Sequence, residues 1–142
     1  MKDFKQFIQE SKVEKTESNP AQAKSLIQKA QKRLKYVKDR QITDENADLI
    51  LEDSYEAITE GLDSFLILSG FKSHSHEASI IYGFEKLDLS YSEANKLNKF
   101  RKLRNDSKYR GEDIEKREAE QITKIASKMI PDLKKRFKEK AK

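Results

Sequence analysis

The chain has 142 residues, 39% charged and 35% hydrophobic, with 30 basic residues against 25 acidic and a net charge of +5. That length suits one domain able to bury roughly two thirds of the surface it exposes when unfolded, and apolar residues recurring at helical spacing argue for a compact helical domain over a disordered one. The absence of cysteine excludes disulfides, thiolate metal sites and cysteine nucleophiles; the opening Met1-Lys-Asp-Phe-Lys predicts a cytoplasmic protein, and the longest strongly apolar run, Phe65 to Leu68, is far below the roughly 20 residues of a membrane span.

In chain order, Phe4, Phe7 and Ile8 predict a short amphipathic helix over residues 2–11, and Ser11 to Asn19 is a polar connection without a period. Asn19 followed by Pro20 is a favoured start for a helix, because proline lacks only a donor that would be orphaned there. Ala23, Leu26, Ile27, Ala30, Leu34 and Val37 then give the cleanest 3.6-residue stripe, ending near Lys38. A third helix is predicted from Asp44 to Ser69, with Gly70 as a left-handed terminator. Its wide apolar arc centres on Leu51, Tyr55, Ile58, Leu62 and Phe65, while Glu52, Glu56 and Glu60 fall on the opposite arc as solvated acids or as partners for basic residues of another subunit.

Phe71 to Ser75 is predicted as a loop and His76 to Lys86 as a helix that buries Ile80, Ile81 and Phe84. Ser90 and Glu93 make a capping box that starts a helix near Tyr91, and Gly111 closes it after Arg110. A last helix starts after Asp113 with Ala119, Ile122, Ala126, Met129, Leu133 and Phe137 on one face and a kink at Pro131. One domain therefore spans 1–142, with 1–18 an N-terminal helix and connection and 134–142 a basic end carrying Lys134, Lys135, Arg136, Lys138, Lys140 and Lys142. With no strand-like alternation and no Gly-rich phosphate loop, the predicted fold is all-α, an up-and-down four-helix bundle with short accessory helices.

The helix from Tyr91 carries an arginine where its stripe should be apolar. Leu97, Phe100 and Arg104 share a face, with Leu103 and Arg101 on its shoulders. A guanidinium there has to snorkel out or meet an acceptor across a groove, since an unpaired buried charge costs on the order of several kcal/mol. The mixed greasy and charged face also predicts a homodimer whose interface includes this helix. His74 and His76 straddle a loop-to-helix boundary without a ligand cluster around them, so no metal is expected, and nothing local places either beside Arg104.

Arg104-Asn105-Asp106-Ser107-Lys108-Tyr109-Arg110-Gly111 resembles the signature of HEPN domains, in which an arginine, commonly followed by a polar residue, precedes a histidine by a few positions. Phe100-Arg-Lys-Leu-Arg-Asn-Asp, Glu52-Asp-Ser-Tyr-Glu-Ala-Ile and Ser75-His-Glu-Ala are similar to the prokaryotic branch, so the resemblance covers most of the chain. It implies a four-helix bundle, usually a homodimer, and metal-independent RNA cleavage at the dimer cleft, with Arg104 stabilising charge on phosphoryl oxygens. Tyr109 stands where the histidine is expected. A phenol, with an ordinary pKa of about 10, makes a poor base at neutral pH, and is better suited to donating to a phosphate or stacking on a base.

Around Arg104 and Tyr109, the residues Arg101, Asn105, Asp106, Lys108 and Arg110 are the candidate nucleic-acid contacts. Some HEPN toxins pair with a minimal nucleotidyltransferase antitoxin that modifies a tyrosine two residues beyond the histidine; here that place is Gly111, so that modification is not carried over. Three functions stay open: a HEPN-type endoribonuclease acting as a toxin component without a cofactor, a non-catalytic HEPN module that binds RNA or a nucleotide or docks on a nucleotidyltransferase partner, and a structural helical dimer.

Overall fold

A computed structural model describes residues 2–141; Met1 and Lys142, the first residue of the opening motif and the last lysine of the basic run, lie outside the described residues. Six helices and two short strands follow in the order α1 (Phe4–Gln9), β1 (Val13–Lys15), α2 (Pro20–Lys38), α3 (Ala47–Leu68), β2 (Phe71–Ser73), α4 (His76–Lys86), α5 (Tyr91–Arg110) and α6 (Lys116–Lys140). The fold is all-α apart from the one strand pair, and among the described residues no helix is long and apolar enough to cross a membrane.

Local chemistry explains most boundaries. Asn19 accepts the Gln22 N–H at 3.0 Å with Pro20 in the first turn of α2. Ser90 and Glu93 form the reciprocal capping box of α5, and Gly111 ends it at φ 68°. The start of α3 falls three residues later than the expected Asp44, because Thr43 and Asn46 bond each other's backbone N–H groups and hold a turn ahead of the helix. α6 likewise starts at Lys116, where Glu118 Oε1 accepts the Glu115 N–H at 3.1 Å, and continues unbroken through Pro131.

The strand pair corrects the expectation of structureless segments at residues 11–19 and 71–75. β1 and β2 are antiparallel, with Val13 opposite Ser73 and Lys15 opposite Phe71, and the flanking bonds Thr16 N–H to Gly70 O and His74 N–H to Lys12 O, each 2.8 Å, extend the ladder. Three residues are too few to display a period of two, so the pairing leaves no local signature. Gly70 sits at φ 84°, and a Cβ there would lie 2.8 Å from the Thr16 carbonyl oxygen, so both conformation and space demand glycine.

α3 is the centre of the molecule. It packs against α2, α6, α4, α5 and β2, while α2 also meets α6 and α4 meets α5. Its Leu51, Tyr55, Ala57, Ile58 and Leu62 are fully buried, which accounts for the width of its apolar arc. Leu97 and Phe100 are buried inside the chain as well, at 0% and 3% exposure. The greasy half of the face that suggested a dimer is therefore satisfied within one protomer.

Glu60 is a second correction. It is 8% exposed and not solvated, because the Arg33 Nε of α2 donates to its Oε1 at 2.7 Å while the Arg33 Nη1 reaches Asp53 Oδ1 at 3.1 Å. These bonds hold the guanidinium firmly charged despite its partial burial. Arg33→Ala strands the Glu60 carboxylate against the α2–α3 seam and is expected to cost about 2–3 kcal/mol, below the range for a fully enclosed pair because Arg33 keeps some water contact. Urea denaturation of Arg33→Ala beside Arg33→Ala/Glu60→Leu checks this: the double variant should recover most of the loss.

Candidate functional site

The site is built on the face that α5 turns toward α3 and α4. Arg104 lies seven residues after Leu97 and four after Phe100, so the turn that buries those side chains carries the guanidinium inward too, to 8% exposure. It does not snorkel. Its Nη1 donates to Asn105 Oδ1 at 3.2 Å, its Nη2 stands 3.8 Å from Glu56 Oε2 on α3, and its Cζ is 6.0 Å from the Tyr55 ring.

His76, the first residue of α4, packs against the same ring, with ring centroids 5.5 Å apart. Its position follows from the Ser75 cap, whose Oγ accepts the Ala78 N–H at 3.3 Å. Glu77, beside it, faces Arg101 Nη2 at 3.9 Å, while Arg101 Nε donates to Asn98 at 2.8 Å. Tyr55, Glu56, His76, Glu77, Arg101, Arg104 and Asn105 thus form one cluster from three helices.

Two features give the cluster its chemistry. Arg104 Nε and Tyr55 Oη are buried and bonded to nothing, and among the described residues they are the only buried side-chain polar atoms left so. Each such atom costs about 1–3 kcal/mol, an unusual concentration of unmet demand in one place. The neighbouring carboxylates stand beyond hydrogen-bond reach at 3.8 and 3.9 Å, close enough to attract the guanidinium groups and too far to satisfy them. Burial pushes the Tyr55 phenol well above its usual range, offset in part by Arg101 and Arg104.

Burial also pushes His76 below its ordinary 6.5; Glu56 acts in the opposite sense, and Arg104, Arg101 and Lys108 add to the depression. At neutral pH the imidazole is therefore uncharged and able to accept a proton.

The structure brings together only part of the set expected from sequence. Arg101, Arg104 and Asn105 are in the cluster, and Tyr109 stands at its open edge, 69% exposed, with its ring 5.8 Å from the Arg104 Cζ and 5.8 Å from the Lys108 Nζ. Asp106 and Arg110 are not in it: residues two and six positions from Arg104 project from another side of the helix, where they face each other at 3.9 Å. Sequence placed Tyr55 in the apolar arc of α3 and Glu56 among its solvated or intersubunit acids, and offered His76 as a general acid or base, but joined none of these, nor Glu77, to Arg104. The stretches that hold them, Glu52 to Ile58 and Ser75 to Ala78, nevertheless carried part of the family resemblance. His74 lies away from the cluster, exposed at the end of β2 with Nε2 3.4 Å from Glu14, and among the described residues no three His, Cys, Asp or Glu side chains gather as a metal site.

A separate cleft of about 310 Å3 lies where β2 meets α2 and α3, and Asp63 lines it. Burial raises this carboxyl to about 6, Ser79 donating at 2.6 Å holds it back, and the Glu56 and Glu60 charges push it further up. A folded-state value above the unfolded one means the neutral acid is favoured in the fold. Its stabilising contribution is complete near pH 4 and is lost as pH rises through about 6. Asp63→Asn keeps the acceptor for Ser79 without the charge, so it should melt a few degrees higher than the native chain at pH 8, by at most about 3 kcal/mol, and equally at pH 4. Paired thermal melts measure this difference with the His76 contribution common to both chains.

Comparison with protein-family models, curated proteins and solved structures finds no match for this chain.

Proposed function

We propose that this chain is an RNA-directed, HEPN-like helical protein, a four-helix bundle with accessory elements, whose Arg104 cluster seats a phosphate and whose His76 moves the proton in metal-independent RNA cleavage. The single observation that carries the proposal is the coincidence of the two unbonded buried polar atoms, Arg104 Nε and Tyr55 Oη, with an uncharged histidine on the same aromatic ring. A phosphate on the edge of Arg104 shared by Nε and Nη2 supplies the acceptor that Nε lacks and that Glu56, 3.8 Å from Nη2, does not provide. His76 takes the proton from a ribose 2′-hydroxyl, the 2′ oxygen bonds to phosphorus, and the bond to the 5′ oxygen breaks. The products are a 2′,3′-cyclic phosphate and a 5′-hydroxyl that receives the proton. Arg104, with Arg101 behind it, stabilises the charge that builds on the phosphoryl oxygens.

Tyr109 favours a second function, an RNA- or nucleotide-binding module without cleavage, because an exposed ring flanked by Arg104 and Lys108 offers a stacking face and no usable base. Two copies pairing across the carboxyl end of α5 would set two such clusters around one strand, and a minimal nucleotidyltransferase is the partner that the family resemblance implies.

Binding to single-stranded oligoribonucleotides as a function of salt tests the site. Affinity should fall steeply with ionic strength, and Arg104→Ala should weaken it roughly tenfold or more, while Lys138→Ala on the exposed end of α6 should change it little. Equal losses from both substitutions would indicate diffuse attraction, and no binding at low salt would favour a structural dimer.

A further inference from the structure

α5 and α6 scarcely touch, and between them lies an open groove of about 830 Å3 whose lining reaches Phe100, one turn of α5 before Arg104, but includes no residue of the Arg104 cluster. Its floor is apolar, formed by Leu89, Phe100, Ile125, Met129 and Leu133. Its rims are lysines: Lys96 and Lys99 three apart on α5, Lys124 and Lys128 four apart on α6, so that each pair lies on one face of its helix. All four are exposed, and none is in an ion pair among the described residues. Of the carboxylates in the groove, Asp88 pairs with Arg136 at 3.2 Å, which leaves Glu93, bonded in the α5 capping box at 3.0 Å, and Asp132 against four lysines.

We propose that this groove is the docking site for an acidic amphipathic helix of a partner protein. An apolar stripe recurring at i, i+3, i+4 and i+7 fits the floor, and Glu or Asp on the shoulders of the stripe meets the lysine rims. A single strand held through its bases would need ring faces to stack on, and the aromatic residue of the floor, Phe100, is 3% exposed. A second copy of this chain would bring its own net charge of +5 to an already basic groove.

The full chain is titrated by fluorescence anisotropy with a labelled helical peptide of about 20 residues, with leucines along one face and glutamates beside them, and with a peptide of the same composition scrambled to break the stripe. The patterned peptide should bind saturably and the scrambled one at least roughly tenfold more weakly. Lys99→Glu/Lys128→Glu, both on exposed positions, and Ile125→Glu, on the half-buried floor, should each lose roughly tenfold with an unchanged circular-dichroism spectrum, and Arg104→Ala should bind the peptide like the native chain. Absence of saturable binding, equal binding of the scrambled peptide, or no effect of the charge reversal overturns the proposal. Charge reversal that abolishes oligouridylate binding and spares the peptide overturns it too and makes the groove an RNA track. Because Arg104 does not line the groove, failure of the peptide experiment and failure of the RNA site are separately visible.

Discussion

His76→Gln is expected to lower metal-independent RNA cleavage by roughly 10² to 10⁴-fold, the span a positioned general acid or base contributes, while RNA affinity stays close to native. The amide fills the space of the ring beside Tyr55 without exchanging protons near neutrality. The matched control is His74→Gln, an exposed histidine at the end of β2, which should cleave like the native chain. Since burial pushes His76 below its ordinary 6.5, the rate should climb through a pKa under that value and be level at pH 7 and above. Chelator should leave the rate unaltered. Cleavage that survives in His76→Gln and disappears in Tyr109→Phe would place the chemistry on the phenol instead. Native protein that binds RNA and never cuts it would leave the binding module.

Arg104→Met is expected to raise stability by about 1 kcal/mol while removing RNA binding, an unusual pairing of effects for a residue that is 8% exposed. The native guanidinium keeps Nε bonded to nothing and meets Glu56 only at 3.8 Å, so the fold bears a desolvation cost that an apolar side chain of similar length avoids. A binding site kept ready for an anion predicts this trade; interface or core glue predicts the reverse. Urea denaturation of the two chains decides between them: a loss of about 2 kcal/mol or more in Arg104→Met would make the arginine structural.

The helices were legible from sequence because their signals are local. Asn19-Pro20, Ser90 with Glu93, and Gly111 satisfy or end backbone hydrogen bonds within one turn, and such groups act alike whatever the rest of the chain does. The apolar stripes of α2 and α6 likewise name most of their own buried residues, while the place of Arg104 in the α5 stripe left it either to snorkel or to meet an acceptor, and packing buried it. Local pattern misassigned the two strands, because a three-residue ladder is recognised only by its partner 58 positions away.

The candidate site divides along the same line. Arg104 and Asn105 could be named from sequence, being neighbours on one helix. Tyr55 and His76 come to Arg104 across 49 and 28 residues, and only the packing of α4 and α5 on α3 sets them on one ring. Packing also decided which acids are solvated. Glu52, Glu56 and Glu60 follow each other at four-residue steps, a spacing that drifts slowly around the helix, and Glu60 alone comes to rest against the α2 seam where Arg33 meets it at 2.7 Å. Sequence by itself determined which segments coil and which faces are apolar, since both follow from backbone bonding and water exclusion over a few residues. Which polar side chains meet, and which are left without a partner, was decided by tertiary structure, because hydrogen bonds and ion pairs act only within a few ångströms and chain distance says nothing of that separation.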